Sequence, residues 1–351
     1  MRAGELRLLD TAELPARRNL ALSAALLAGG GEVLRLQRFP RAAIIGAHQR
    51  LEREVDLVWC AQHGVETARR MTGGGAIVMA PGMLGWELVL GRRRFPDGLG
   101  QAAGLICRGA AAGLARLGVA AEFRPRNDIV VDGRKLGGTG GYFDGDRLLF
   151  QGTVLIDPDF AFMARALRLP VEKLSATGAG FADRLVGLDT LLGRAVTDGE
   201  AGAALAAGLA EALGMTLVSG EPSGPELAAA DRLHATEIGT DAFVHGQDLA
   251  PADAAPDAAA ELAEPGGAVS VALRLRPGGE RRIATAGITG DMFVTPPGTV
   301  RDLEAALRDI RLEQAEAAAT RFLLASGAAM LGGDIQLLAR AVGAAARSAG
   351  P

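Results

Sequence analysis

Cysteine is nearly missing from this chain. Two occur in 351 residues, Cys60 and Cys107, with no CxxC and no Cys/His ligand spacing, which excludes a disulfide framework and a patterned zinc site. Cys107 falls within a helical pattern, where a small apolar thiol reads as core. Aromatic residues make up only 4%, with one tyrosine and two tryptophans, so stacking platforms for bases are scarce. Neither sign of charge dominates. A formal net charge of -4 gives no electrostatic footprint for nucleic acid, and Arg92-Arg93-Arg94 reads as a solvated loop. Histidines number four, and His48 and His63 stand isolated, so both read as structural rather than as bases or ligands. No apolar run reaches membrane-spanning length, and residues 1 to 10 are charged where a secretory leader has its apolar stretch. The expectation is a cytoplasmic protein without a membrane or nucleic-acid role.

What is present is glycine, 49 of them, in a chain 49% hydrophobic and 22% charged. That length and composition suit one large and one small globular domain. Residues 16 to 29 read as an amphipathic helix, and 33 to 37 and 42 to 45 as strands joined in antiparallel fashion across Arg38-Phe39-Pro40-Arg41. Residues 55 to 64 read as helix then turn, and 67 to 72 re-enter the sheet. Strands at 75 to 79 and 86 to 90 flank the Pro81-Gly82 turn. Residues 100 to 117 and 197 to 213 read as helices, followed by a loop carrying Pro222 and Pro225. Residues 246 to 266 are rich in Ala, Asp and Pro, the composition of a linker. Beyond it, 268 to 275 and 281 to 288 alternate as strands and 300 to 310 read as helix. Hairpins grouped around one long helix, with no repeating βαβ unit, argue for an α+β fold with a mixed, largely antiparallel sheet. The domains expected are 1–250, a linker at 251–266, and 267–351.

Two stretches carry chemistry. Residues 124 to 159, RPRNDIVVDGRKLGGTGGYFDGDRLLFQGTVLIDPD, read as a strand, a tight Asp132-Gly133 turn, Lys135, a glycine-rich segment, a turn and a second strand. Lys135 then stands beside Gly137, Gly138, Gly140 and Gly141, an ammonium group next to backbone that an anion can approach closely. A hairpin with a solvated lysine is the competing reading. Residues 68 to 79, ARRMTGGGAIVM, place Arg69 and Arg70 before Gly73, Gly74 and Gly75. Such a run marks either close ligand approach or a flexible turn, and either arginine offers a planar fork to a carboxylate or phosphate.

In this order the stretches resemble the lipoate-protein ligase family, within the larger group of biotin-protein ligases and octanoyltransferases. The resemblance rests on Arg69-Arg70-Met71-Thr72-Gly73-Gly74-Gly75, Arg126-Asn127-Asp128, Asp132-Gly133-Arg134-Lys135 and Gly152-Thr153-Val154-Leu155. Ile44-Ile45-Gly46 and Gln49 upstream, and Lys173, Gly178 and Arg184 downstream, fall at matching places, as does ITGDMF at 288 to 293 in the accessory domain. It covers most of residues 15 to 300.

The resemblance implies ATP-dependent activation of lipoate to lipoyl-AMP, with Mg²⁺, and transfer to a lysine of a lipoyl carrier domain. The carrier would be a glycine-cleavage H-protein-like domain, a dehydrogenase E2 lipoyl domain or a dedicated lipoate-binding protein. Lys135 would be catalytic, stabilising charge on the α-phosphate and acyl carbonyl. Arg70, Thr72, Gly73, Gly74, Gly75, Asn127, Asp128, Gly137, Gly138, Thr139, Gly152 and Thr153 would bind substrate or adenylate. No metal-ligand set is assigned, though a cation position near Asn127 and Asp128 is compatible; hairpin hydrogen bonding is the alternative for both.

Phe150-Gln151 stands where many ligases have His-His, and residues 233 to 246 lack the family's aromatics, which leaves acyl and acceptor preference open. One rival is an acyltransferase that needs no ATP. It works through an active-site cysteine or an equivalent, which similar transferases place just before the strand leading to the lysine turn, and residues 123 to 127 contain no cysteine. The other is a non-catalytic carrier-binding protein.

Overall fold

In the computed structural model, residues 4–168, 179–246, 255–278 and 280–349 are described. Eight strands form the main sheet. They are β1 (Glu5–Glu13), β2 (Val33–Arg38), β6 (Met83–Gly91), β7 (Glu122–Arg124), β8 (Asp128–Val131), β9 (Arg134–Asp144), β10 (Arg147–Leu155) and β11 (Thr216–Gly220). Their order is β11-β1-β2-β6-β10-β9-β8-β7. From β2 to β7 every pairing is antiparallel, and only β1 runs parallel to its neighbours β2 and β11. Local chemistry closes the hairpins. Asp132 and Gly133 both take positive φ, 48° and 74°, the turn whose twist matches the flanking strands.

The helices Leu99–Ala115 and Asp198–Leu213 cover one face of this sheet, against Leu84, Trp86, Leu88 and Leu90. They meet through glycine. A Cβ at Gly113 would lie 2.4 Å from the Ala204 carbonyl oxygen, and one at Gly208 2.4 Å from that of Gly109. This close approach makes the two helices one slab and leaves the other face of the sheet for the site.

On that other face lie the helix Ala16–Ala28 and a three-stranded sheet, β4-β3-β5, built from β3 (Ala42–Ile45), β4 (Glu66–Arg69) and β5 (Ile77–Met79). Here the expectation from sequence is corrected, because β2 and β3 do not pair with each other. Phe39 turns the chain out of the main sheet by burying its ring in a second core with Ala42, Ile44 and Val78. One other expectation changes, at Pro225. The glycine-rich segment after Lys135 is the body of the eleven-residue strand β9. Pro225 opens the helix Gly224–Thr236, capped by Ser223 and Glu226, rather than lying in a loop. The helix then turn expected at 55 to 64 is there, as Leu57–Gln62 capped by Asp56 and the turn after it.

The C-terminal residues form a third sheet, β12 (Ala258–Glu264), β13 (Gly267–Leu275) and β14 (Ile283–Gly290), all antiparallel, plus the pair β15 (Val294–Thr295) and β16 (Ala329–Met330). The helices Thr299–Ala306, Ala315–Ser326 and Leu337–Ser348 pack on it around a separate core. The stretch expected as linker, 251 to 266, therefore holds a strand from Ala258 onward. Its alanines alternate between core and solvent, a pattern that low bulk disguises as linker composition.

This is a mixed α+β fold with a mainly antiparallel central sheet. Among the described residues no helix is long and apolar enough to cross a membrane.

Candidate active site

A cavity of about 750 Å³ opens between the main sheet and the small sheet. Two cross-strand rows shape it, on the face of the main sheet away from the helices Leu99–Ala115 and Asp198–Leu213. One runs Arg35–Glu87–Gln151 across β2, β6 and β10; the next runs Gln37–Gly85–Thr153. The first row is filled. Arg35 Nε meets Glu87 Oε1 at 2.7 Å with both side chains fully buried, Gln151 Nε2 donates to Glu87 Oε2 at 2.9 Å, and Thr72 Oγ1 donates to Gln151 Oε1 at 3.2 Å. Burial pulls the Arg35 guanidinium down and the Glu87 carboxylate opposes that. The second row is hollowed by Gly85 and forms the floor.

Lys135 stands at the wall of this cavity. A register shift between Ile129 and Val130 inserts an extra residue in β9, so Lys135 shares a face with Gly138 instead of opposing it. Its side chain lies over that glycine: a Cβ at Gly138 would be 2.8 Å from Nζ. Nζ meets Asp128 Oδ1 at 2.7 Å, and Arg124 donates to Asp128 Oδ2 at 2.8 Å. Burial pushes the Asp128 carboxyl up, but Lys135 and Arg124 outweigh it and hold the group below the usual carboxylate range. Both carboxylate oxygens are thereby taken by cations. Asn127 is tied into the hairpin too, its side-chain amide donating to the Thr139 carbonyl while its backbone carbonyl accepts from Thr139 N and Oγ1 at 2.8 and 2.9 Å. Both residues make hairpin hydrogen bonds, and both also line the cavity. No group of three or more metal-ligating side chains is found among the described residues.

Gly137, Gly138, Gly140, Thr153 and Arg184 all border the cavity, and the Arg184 carbonyl accepts from Lys135 N at 2.8 Å. Thr139 and Gly152 border it differently. They pair across β9 and β10 in the row that faces the helices, where Thr139 Oγ1 bonds the Asn127 carbonyl and Gly152 makes room for the Trp86 indole, so only backbone remains for a ligand. Lys173 and Gly178 lie outside the described residues.

The glycine run departs most from expectation. Of its three glycines only Gly75 lines the cavity. Gly73 and Gly74 instead receive the loop after β14: Gly74 N donates to the Met292 carbonyl at 3.1 Å, and a Cβ at Gly74 would sit 2.3 Å from Phe293 Cζ. The same ring lies 2.0 Å from where Gly140 would carry a Cβ. These glycines accommodate the C-terminal unit, which the sequence cannot reveal because either partner demands the same bare backbone. Arg70 and Thr72 line the cavity, and Arg70 also shapes the loop. Its Nη2 donates to the Gly73 and Gly75 carbonyls at 2.7 Å each, Nη1 to Ile44 and Nε to Thr72. Arg69 donates to the carbonyls of Phe243, Val244, Ala47 and Gln49. Burial lowers both guanidinium groups to about 10, so each stays charged at neutral pH.

Comparison with known proteins fits this geometry. Residues 15–210 match the model of the Lipoyl protein ligase A/B catalytic domain. The chain belongs to that family. Octanoyltransferase LipM of Symbiobacterium thermophilum is 33% identical over 267 residues, 67% of this chain and 96% of the relative. The bipartite lipoate protein ligase of Thermoplasma acidophilum, studied with its E2 lipoyl domain, superposes with a TM-score of 0.63 at 25% identity, covering 71% of this chain and 98% of that one. LipL1 of P. falciparum, in complex with lipoate, covers 92% of this chain and 94% of its own at 17% identity and a TM-score of 0.69, a likeness of fold that extends through the C-terminal unit. As a family member the chain is an enzyme of the lipoate/octanoate transfer group, which contains both ligases and transferases.

For a family split between these chemistries, the thiols matter. Neither Cys60 nor Cys107 lines the cavity, and both are buried. Burial pushes the Cys107 thiol up to about 12, only partly offset by Thr139 Oγ1 at 3.2 Å, and the Cys60 thiol up to about 11.

Proposed function

We propose that the chain is an ATP-dependent lipoate-protein ligase. The observation that carries this reading is a cavity walled by a lysine ammonium and bare strand backbone, in a chain whose only two cysteines are buried away from it with thiols held protonated. An acyl group can be activated at such a site by making it a mixed anhydride, whereas a thioester intermediate lacks its thiolate.

The acid's carboxylate would attack the α-phosphorus of ATP, expelling pyrophosphate and forming an acyl-adenylate. Lys135, on a wall of glycines that lets oxygen atoms come close, would stabilise the charge developing on the α-phosphate and then on the acyl carbonyl. A lysine amine of a lipoyl carrier domain would attack that carbonyl, AMP leaving with the bonding pair. Asp128 orients Lys135 through their ion pair. Mg²⁺ would arrive with the ATP phosphates as part of the substrate. The catalytic unit in this proposal includes the helix Asp241–His245, the accessory unit begins with β12 at Ala258, and the enzyme works in the cytoplasm.

A second reading, thioester-dependent octanoyl transfer, is favoured by the likeness to octanoyltransferase LipM. Intact-mass measurement on an apo lipoyl domain separates the two. The ligase adds a lipoyl group when lipoate, ATP and Mg²⁺ are present and none when octanoyl-carrier thioester is supplied without ATP; the reverse pattern overturns the proposal.

A further inference from the structure

Gln37 lies at the end of the cavity remote from Lys135. The floor row pairs Gln37 with Gly85 and Gly85 with Thr153, and Thr153 Oγ1 accepts from Gly138 N at 3.3 Å. Three strand spacings of about 4.8 Å place Gln37 about 14 Å from Gly138, the glycine under the lysine. Less the reach of the two side chains, that span suits an extended eight-carbon acid with its carboxylate at Lys135.

At this end the walls turn apolar. Phe39 packs over Gly85 beside Gln37, with its ring 3.0 Å from the position of a Gly85 Cβ. Yet Gln37 is polar, lines the cavity, and is only 4% exposed. Its Nε2 finds no hydrogen-bond partner among the described residues. The contrast with Gln151 on the same face is direct, for that amide uses its oxygen on Thr72 and its nitrogen on Glu87. A buried amide donor left dry is costly, so an orphan aimed into a ligand cavity points to an acceptor that the ligand brings.

Resting on the reading of this cavity as an acyl site, we infer that Gln37 determines tail specificity: its Nε2 donates to a sulfur or oxygen atom on the distal part of the acyl chain. Eight-carbon acids bearing such an atom are therefore selected over plain octanoate, and the selection resides in one side chain.

Calorimetric binding of lipoate, octanoate and 8-hydroxyoctanoate to the full chain, without ATP, tests this. The wild type binds the two acceptor-bearing acids more tightly than octanoate. In Gln37→Leu that preference falls about tenfold, with octanoate bound at least as well as before. Gln37→Met, which keeps the length and removes the donor, behaves the same way, and neither variant melts below the wild type because each deletes an unpaired buried group. Unchanged ratios in both variants, or no binding of any acid by the wild type, overturn the inference. Because no ATP is present, the outcome is independent of whether the chain adenylates its substrate.

Discussion

Lys135 Nζ and Asp128 Oδ1 lie 2.7 Å apart across the β8–β9 hairpin, with the lysine side chain draped over Gly138. The ion pair is half-open to solvent, so it contributes less to stability than to aim. It fixes an ammonium group against Gly138, on a stretch of strand where Gly137, Gly138 and Gly140 border the cavity.

Lys135→Ala therefore separates chemistry from folding. Carrier modification falls at least about 100-fold, as on loss of a preorganised oxyanion partner, while the melting temperature and carrier affinity stay near wild type. Lys135→Arg does not restore the rate, because the planar fork cannot occupy the point position above Gly138. Modification rates by mass spectrometry, with carrier binding measured in parallel, check both.

The cysteines give the complementary expectation. A Cys60→Ser, Cys107→Ala double variant retains modification within about twofold, with a core cost of about 1 kcal/mol at the Cys107 site. Loss of activity in a folded double variant would mean a thiol takes part.

Phe293 and Gly140 form a steric lock that can be picked. Gly140→Ala puts a methyl group where the ring already sits, 2.0 Å from Cε1, and costs about 1–3 kcal/mol by overpacking. Phe293→Ala in the same chain relieves the clash, so the double variant is more stable than the sum of the two singles allows. A double-mutant cycle by chemical denaturation reads the coupling.

His48 carries a pH signature. Burial, with the Arg69 charge nearby, lowers its proton affinity to about 4, against about 6.5 for a free histidine. The native state thus keeps His48 neutral where the unfolded chain takes up a proton, so stability is whole above pH 6.5 and declines as pH falls from 6.5 toward 4. His48→Gln flattens that part of the stability profile. Its backbone carbonyl, which accepts from Gly290 N at 2.9 Å, is retained in the variant.

Much of the site is legible in the sequence because turn chemistry is local. Asp132-Gly133 fixes the hairpin, and the hairpin fixes the neighbourhood of Lys135. Three things are not local. The extra residue that brings Lys135 over Gly138 is a register shift against β8, which no spacing in β9 announces. The partner of Gly73 and Gly74 comes from more than 200 residues away in the chain, and bare backbone reads the same whether a ligand or an aromatic ring approaches it. Finally, Arg35, Gln37, Glu87 and Gln151 alternate with large apolar residues, which in a strand reads as a solvent face. The structure buries that face under the helix Ala16–Ala28 and the small sheet, where Arg35 reaches the Asn19 carbonyl and the Ser23 hydroxyl. The polar row is thus an interior one. The expected linker failed for a related reason, since alanines that alternate into a core look like alanines in a tether.

The central claim is that the cavity activates an acid with ATP. Exchange of labelled pyrophosphate into ATP, measured on the purified full chain with Mg²⁺ and no carrier, tests it most directly. The account predicts exchange that depends on added lipoate and disappears in Lys135→Ala. No exchange with lipoate or octanoate, in protein that still transfers an acyl group from a carrier thioester, would contradict it.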